Sequence, residues 1–190
     1  LNISWWSAME DSSRDAKRFQ YERFILSQLL VMALKGVPAF YLPALLASEN
    51  DIKSFSMTGQ RRDLNREKFK SENLSAVLNN PESNANKNLK YLRNAMDVRS
   101  ELKQFHPCSQ MKCLSKGRSD IVVIKRGIGP GAVFAIHNMT ENKINYQLND
   151  NDLPKIIDND FNAHDFLTST KYNCKNISLE PFQVIWLSAL

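Results

Sequence analysis

The most informative part of this 190-residue chain reads GVPAFYLPALLASEND at 36–51 and TGQRRDLNR at 58–66. Gly36 stands where a helix C-cap glycine belongs, and the run 37–41 is apolar, with β-branched and aromatic side chains. This pattern predicts a short, buried parallel strand directly after a helix. The polar and charged stretch 45–70 predicts a loop.

The sequence before this stretch predicts a helix over 14–35. Phe19, Phe24 and Leu34 contribute to a broad apolar face, no Gly or Pro intervenes, and N-cap residues precede it at 11–13. A helix, a glycine, an apolar strand and a polar loop form half of an α/β repeat. Half a repeat cannot bury its own faces, so we expect further chain upstream to complete it.

The predicted secondary structure changes from helices to short strands near Phe105. A turn at 79–83 and a second predicted helix at 85–105 come before it, and His106-Pro107 ends that helix. Short apolar runs with turn signals follow, as in an antiparallel sheet or sandwich; they lie at 121–124, 133–136, 144–148 and 177–187, with a glycine-rich turn at 127–131. We therefore predict two domains: 1–105, the end of an α/β domain, and 106–190, a small all-β domain.

Composition excludes several classes of protein. Hydrophobic residues make up 43% and charged residues 24%, which excludes wholesale disorder. No apolar run approaches the ~20 residues that span a bilayer, so no membrane association is predicted. The net charge is +5, and its one dense basic cluster supports nucleic-acid binding only weakly; that cluster comprises Arg61, Arg62, Arg66, Lys68 and Lys70.

The cysteines and the first residues bear on context. Three cysteines do not make a disulfide framework, and with only three histidines we predict no metal site and no cofactor. We expect a reduced, cytoplasmic protein without a secretory signal. The chain opens at Leu1 without Met and soon reaches Trp5-Trp6. We expect it to be a piece of a longer protein.

The stretch 36–66 resembles glycoside hydrolase family 13, the α-amylase family, and within it the sucrose phosphorylase branch. That branch carries a GVP-x-x-Y strand, then LL-A-x-x-ND, then a GRDINR-like loop. Residues 5–24 resemble the segment and helix before the strand, while 165–168 and 182–187 resemble a turn and the last strand of the family's C-terminal β domain. The resemblance implies an α+β fragment: the last helix–strand–helix part of a (β/α)8 TIM barrel, followed by a small antiparallel β-sandwich.

The resemblance also implies a chemistry. It is retaining glucosyl transfer to inorganic phosphate, which gives glucose 1-phosphate, with a small glucosyl-containing sugar as the other partner. The family's catalytic carboxylates lie on earlier strands and match no position here, so we expect the fragment alone to be inactive. We do not assign Glu49 or Asp51 a catalytic role. We expect them to be solvated loop carboxylates, or structural partners of Arg61, Arg62 or Arg66.

Site residues follow from the GRDINR match. Arg62 matches the arginine that in relatives reaches the glucosyl subsite, where a guanidinium can donate to hydroxyls or to phosphate; the alternative is an ion pair with Asp63 or Glu67. Shaping the loop and contacting the substrate both stay open for Asp63, Asn65, Arg66 and Gln60. Asn50 and Asp51 are expected to brace the loop.

The acceptor stays open. Relatives act on sucrose, glucosylglycerate or sucrose 6′-phosphate, and Pro43-Ala44 stands where many of them carry His-Ser. A hydrolase of the same family is one alternative function.

A second alternative is an autonomous β module that binds carbohydrate or acts as a scaffold. Exposed aromatic residues would support it, and the candidates are Tyr146, Tyr172 and Phe161. We also expect an exposed apolar barrel edge that invites self-association, formed by Leu30, Val31, Phe40 and Tyr41.

Overall fold

The computed structural model describes residues 2–11, 15–115, 117–129, 131–149 and 162–188. Its α-helices are α1 (Gln20–Ala33), α2 (Leu42–Leu45), α3 (Ile52–Thr58), α4 (Ser71–Asn79) and α5 (Asn84–Glu101). Single 3₁₀ turns lie at Ser7–Met9, Arg61–Asn65 and Lys103–Phe105. Its strands are β1 (Met111–Cys113), β2 (Ile121–Arg126), β3 (Val133–Asn138), β4 (Ile144–Tyr146), β5 (Asn162–Asp165), β6 (Lys171–Asn173), β7 (Ile177–Leu179) and β8 (Val184–Ser188).

The described residues form two compact units. The first unit comprises those of Leu1–Ile25 and Ala39–Asn94, and the second those of Leu26–Pro38 and Ala95–Leu190. The second unit thus contains the later part of α1 as well as the β region. The predicted division into 1–105 and 106–190 remains a prediction about domain organisation.

The described part of the β region forms two antiparallel sheets. The larger has the order β1-β2-β3-β8-β5-β6, and β4 pairs with β7 in the smaller. Registers such as Ile136 opposite Ile185 send alternate side chains of the large sheet into a core shared with Ile177 and Leu179 of β7. This arrangement confirms the predicted antiparallel sheet.

In the β region, each predicted apolar run contains a strand, whereas the weakly apolar strands were not predicted. The runs at 121–124, 133–136 and 144–148 became β2, β3 and β4, and the run 177–187 became β7 and β8. The strands β1, β5 and β6 were not predicted, because each has three or four residues and few apolar side chains. In the predicted turn after β2, Gly127 and Gly129 take φ of 77° and 70°.

Helix α1 is shorter than predicted. It begins at Gln20, because Phe19 has a left-handed φ of 56° and breaks the helical path. The buried Gln20 side chain donates from Nε2 to the Trp6 carbonyl at 3.0 Å, which fixes the start of the helix. Two of the predicted N-cap residues, Ser12 and Ser13, and the predicted first helical residue, Arg14, lie outside the described residues.

The predicted strand at 37–41 does not form. Val37 is 80% exposed and Tyr41 56% exposed, and no strand of the described chain pairs with this run. A parallel strand needs neighbours on both sides, so its apolar sequence alone cannot produce it. The predicted loop 45–70 also differs, because it contains α3 and a 3₁₀ turn.

The predicted apolar edge is partly exposed. Val31 and Tyr41 are exposed as predicted, whereas Leu30 and Phe40 are half-buried. Self-association through this edge remains a prediction.

Two arginines secure the end of α1 in the second unit. Arg126 of β2, with no exposed surface, donates from Nη1 to the carbonyls of Ala33 and Leu34 at 3.0 and 2.6 Å, and from Nη2 to that of His106 at 3.0 Å. Arg99 of α5 donates to the carbonyls of Met32 and Gly36 at 3.0 and 2.9 Å. These positive groups satisfy carbonyls at the negative end of a helix dipole.

Replacing Arg126 should destabilise the second unit. We expect Arg126→Met to lower the free energy of unfolding by roughly 3 kcal/mol, because three carbonyls lose a charged donor. Urea denaturation measures the change. The control is Arg93→Met, which removes an exposed arginine of α5. Equal midpoints for the two variants would contradict the assigned role.

His137 of β3 is buried, and its Nδ1 lies 3.3 Å from the Val122 carbonyl oxygen. Burial lowers the pKa of its imidazole from 6.5 to about 4. As the pH falls, His137 of the unfolded chain therefore becomes protonated near pH 6.5, whereas His137 of the folded chain stays neutral until about pH 4. Stability is fully present above pH 6.5 and is lost as the pH falls towards 4.

We expect His137→Gln to flatten this acid dependence. Lowering the pH from 7 to 4 should cost the unsubstituted chain on the order of 3 kcal/mol through this group. Denaturant midpoints at pH 7, 5.5 and 4 measure the effect, and His164→Gln, at an exposed histidine of β5, is the control. A slope left unchanged by His137→Gln would exclude His137 as the source.

Candidate functional site

The candidate site is the segment 46–66 of the first unit, and α3 is its framework. Asp51 caps this helix: its Oδ1 accepts from the Ser54 amide at 2.8 Å and its Oδ2 from the Ser54 hydroxyl at 2.5 Å. These hydrogen bonds, with Ser54 the largest cause, lower the pKa of Asp51. Gly59 ends the helix in a left-handed conformation, with φ of 66°. The expected bracing role of Asp51 is therefore confirmed.

A hydrogen-bonded turn holds the GRDINR-like residues. The Thr58 hydroxyl donates to Asp63 Oδ2 at 2.7 Å and accepts from the Gln60 amide at 3.2 Å. The Asp63 amide donates to the Gln60 carbonyl at 3.0 Å, and the Asp51 amide donates to the Leu64 carbonyl at 2.7 Å. The carboxylate of Asp63 is thus occupied in shaping the turn.

Arg62 lies on this turn with an exposed side chain. In the described part of the chain its guanidinium forms no ion pair or hydrogen bond, so neither Asp63 nor Glu67 pairs with it. Gln60 and Arg66 are also exposed, whereas Asn65 is half-buried. The turn therefore presents a fixed backbone with a cation available to a ligand, and contact with substrate remains a prediction for these residues.

The other acidic and amide residues brace the loop. Asn50 Oδ1 accepts from the Ser4 amide at 2.7 Å, and its own amide donates to the Ser7 hydroxyl at 3.1 Å. Glu49 pairs with Lys17 at 3.6 Å, both largely exposed. Of the two roles expected for Glu49 and Asp51, pairing with the loop arginines does not occur among the described residues, because Ser54 satisfies Asp51. The other expectation, a solvated loop carboxylate, holds for Glu49, whose side chain is 62% exposed.

Asn88 of α5 was missed by the sequence analysis. Its buried side chain donates from Nδ2 to the carbonyls of Ala44 and Leu45 at 3.0 and 2.7 Å, and so ties α2 to α5. The available signal was its spacing, because Asn88 lies in register with Ala85 and Leu92 on the apolar stripe of the helix. A polar residue on such a stripe needs buried partners.

The described residues contain no cluster suited to a metal ion. No group of three His, Cys, Asp or Glu side chains in that part of the chain could hold a metal ion, and its cysteines are free. No helix there is long and apolar enough to cross a bilayer.

The β module alternative finds little support. Tyr146 and Tyr172 are half-buried and pack against the core of the sandwich, so they offer no row of exposed rings. Phe161 lies outside the described residues.

Comparison with curated proteins identifies relatives of one kind. The chain is 32% identical over 142 residues to the glucosylglycerate phosphorylase of Allomeiothermus silvanus, covering 74% of this chain and 25% of that protein. It is 23% identical over 189 residues to that of Escherichia coli, covering 98% of this chain and 32% of the relative. The chain thus spans about a quarter to a third of these relatives. No protein-family profile matches it.

Solved structures agree in fold. The trehalose-6-phosphate hydrolase of Bacillus licheniformis matches with a TM-score of 0.63 and 16% identity, over 96% of this chain and 41% of the hydrolase. An Anoxybacillus α-amylase matches with a TM-score of 0.61 and 13% identity, over 90% of this chain and 33% of the amylase. The chain resembles the C-terminal part of α-amylase-family enzymes. Identities this low establish the fold alone.

The order of the segment 46–66 should depend on the Asp51 cap. We expect Asp51→Ala to cost about 1 kcal/mol, because the first turn of α3 loses an acceptor. Amide hydrogen exchange at Ser54 and Phe55 measures the loss, and Asp97→Ala, at an exposed position of α5, is the control. Unchanged protection of Ser54 would contradict the capping role.

Proposed function

We propose that this chain is the C-terminal portion of a retaining α-glucoside phosphorylase, which transfers a glucosyl group to inorganic phosphate and releases glucose 1-phosphate. Its similarity to glucosylglycerate phosphorylases along most of its length supports the proposal. The same similarity makes glucosylglycerate the first substrate to test. The chemistry would begin with a carboxylate nucleophile and a general acid from other parts of the protein.

The observation that carries the proposal is the unpaired guanidinium of Arg62 on a braced turn. Neighbouring carboxylates are occupied, Asp63 by Thr58 and Asp51 by Ser54. An arginine without an internal partner can donate to glucosyl hydroxyls or to phosphate oxygens at little cost in broken contacts. In this proposal Arg62 orients the glucosyl group, while Asp63 holds the turn that carries Arg62.

The chain alone is proposed to be inactive. Glycosyl transfer by retention needs two carboxyl groups about 5 Å apart across the scissile bond. In the described part of the site, Asp51 caps α3, Asp63 holds the turn and Glu49 pairs with Lys17. The chain would therefore contribute binding and loop geometry rather than the reacting groups.

The test measures phosphate-dependent release of glucose 1-phosphate by the longer protein that carries this chain. Glucosylglycerate, sucrose and sucrose 6′-phosphate are compared, with the 190-residue chain as the inactive control. Release of glucose that does not depend on phosphate would replace the phosphorylase with a hydrolase. Absence of both products from all three substrates would overturn the proposal.

Arg62 gives the sharper prediction. In the longer protein, Arg62→Ala should lower kcat/KM for phosphorolysis roughly 10- to 100-fold, the loss expected for a charge-assisted hydrogen bond. Its thermal midpoint should not change, because no internal contact is lost. Arg93→Ala, at an exposed arginine of α5, serves as the control. Full activity in Arg62→Ala would remove Arg62 from the site.

A further inference from the structure

The end of helix α2 is held by one buried side chain of α5. Asn88 has no exposed surface, and its Nδ2 lies 3.0 and 2.7 Å from the carbonyl oxygens of Ala44 and Leu45. Carbonyls in the last turn of a helix have no partner further along the helix, so a side-chain donor that reaches two of them fixes where the helix ends. Asn88 therefore holds the backbone at 44–45 against α5.

The backbone leaves α2 through a strained turn. Ala47 has a left-handed φ of 50° and is only 6% exposed, and the Ser48 amide donates to the Pro43 carbonyl at 2.9 Å. Glycine usually occupies such a position after a helix, because a Cβ makes the left-handed conformation unfavourable. An alanine keeps this conformation only where its surroundings hold it there. The hydrogen bonds from Asn88 lie two and three residues before Ala47 and supply part of that restraint.

The left-handed turn leads directly into the loop that carries Arg62. Asn50, three residues after the turn, is bonded to the segment 4–7 through both its side chain and its amide. The amide of Asp51 then donates to the Leu64 carbonyl at 2.7 Å, which brings the end of the loop back to its beginning. Arg62 lies two residues before Leu64. The direction in which the chain leaves the left-handed turn therefore affects where the Arg62 turn lies in the first unit.

Packing of the helix alone does not require an asparagine at position 88. Helix α5 packs through an apolar stripe, and the buried residues Ala85 and Leu92 lie one turn to either side of Asn88. The Oδ1 of Asn88 is buried and has no hydrogen-bond partner among the described residues, which is unfavourable. The favourable contribution of the asparagine is the pair of hydrogen bonds that it donates to the end of α2.

We propose that Asn88 is a positioning residue for glucosyl binding. It holds the end of α2 and the left-handed turn at Ala47, so that the segment 46–66 presents Arg62 to the substrate. The inference rests on the proposed function of Arg62. Asn88 itself touches no substrate, because its side chain is fully buried. Its effect on activity is exerted through the position of the Arg62 turn, which distinguishes it from a residue that only stabilises the fold.

The first test measures amide hydrogen exchange in the 190-residue chain with Asn88→Leu. The amides of Ser48 and Asp51 should exchange at least about tenfold faster, because the end of α2 loses two hydrogen bonds, whereas the amide of Leu92 in α5 should keep its protection. Asn94→Leu, at an exposed asparagine of the same helix, should change none of the three. Unchanged exchange at Ser48 and Asp51 would overturn the positioning role. Equally faster exchange at Leu92 would also overturn it, because it would show a general loss of stability.

The second test is kinetic and uses the longer protein that carries this chain. Asn88→Leu should raise KM for the glucosyl donor roughly fivefold at a temperature where the variant is fully folded. A smaller folded fraction alone would lower kcat and leave KM unchanged, and that result would overturn the inference.

A double-mutant cycle tests whether Asn88 acts through Arg62. In the Arg62→Ala background, Asn88→Leu should cause no further loss of kcat/KM, because the side chain that it positions is absent. Asn94→Leu should leave kcat/KM unchanged in both backgrounds. Losses from Asn88→Leu and Arg62→Ala that add in full would show that Asn88 acts independently and would overturn the inference.

The tests separate this inference from the proposed function. Hydrogen exchange does not depend on activity, so it decides the role of Asn88 in the turn whatever reaction the longer protein catalyses. If the longer protein shows no phosphorolysis, or if Arg62→Ala leaves it unchanged, the proposed function fails, and with it the glucosyl-binding part of this inference. If Arg62→Ala lowers kcat/KM and Asn88→Leu does not, the proposed function stands and this inference fails.

Discussion

The second unit depends on a buried arginine that no carboxylate of the described residues neutralises. Arg126 is in contact with backbone carbonyls at the end of α1 and after α5, and its guanidinium lies 5.5 Å from the ring centre of Phe105. Phe105 in turn packs on Trp186 of β8, with ring centres 4.7 Å apart. Because an unpaired buried charge is very unfavourable, the carbonyls must stay where Arg126 can reach them. The end of α1, the turn at Phe105 and the centre of the large sheet are therefore fixed together.

Residues 51–63 of the first unit follow a different rule, because their polar side chains are satisfied mainly by one another. Asp51, Ser54, Thr58 and Asp63 bond to one another or to nearby backbone. Short-range hydrogen bonds of this kind fix a turn without a large buried core. They also occupy the carboxylate of Asp63, the residue next to Arg62 in the chain. Because Asp63 accepts a hydrogen bond from Thr58, it holds the turn and leaves the guanidinium of Arg62 without a partner among the described residues.

The sequence predicted the elements whose signal is contained in their own residues. Helix α5 has a long apolar stripe, and β2, β3 and β8 are continuous apolar runs, so periodicity alone located them. Sequence-based prediction failed where the secondary structure of a segment depends on residues outside that segment. The run at 37–41 lacks paired neighbours in the described chain, and Phe19 breaks α1 although its side chain suits an apolar helix face. The strand β6 has a single half-buried side chain, Tyr172, and little pattern to detect.

The candidate site shows the same limit at the level of single side chains. The motif around Arg62 could be located by resemblance, but the partner of each carboxylate could not. Sequence proximity suggested Asp63 or Glu67 for Arg62, whereas a hydroxyl five residues away took Asp63. The role of Asn88 also depends on the fold, because its partners, the carbonyls of Ala44 and Leu45, are more than forty residues away in the chain.

The chain has a net charge of +5, and its buried and its exposed cations have different surroundings. In the interior, Arg126 and Arg99 are held by main-chain carbonyls, so their charge contributes to stability and is closed to ligands. At the surface of the first unit, Arg62, Lys68 and Lys70 form no ion pair within the described residues. Surface ion pairs stabilise little, so leaving these cations unpaired costs the fold little. The buried cations thus maintain the scaffold, whereas Arg62 at the surface is the cation to which the proposed function assigns recognition of the glucosyl group.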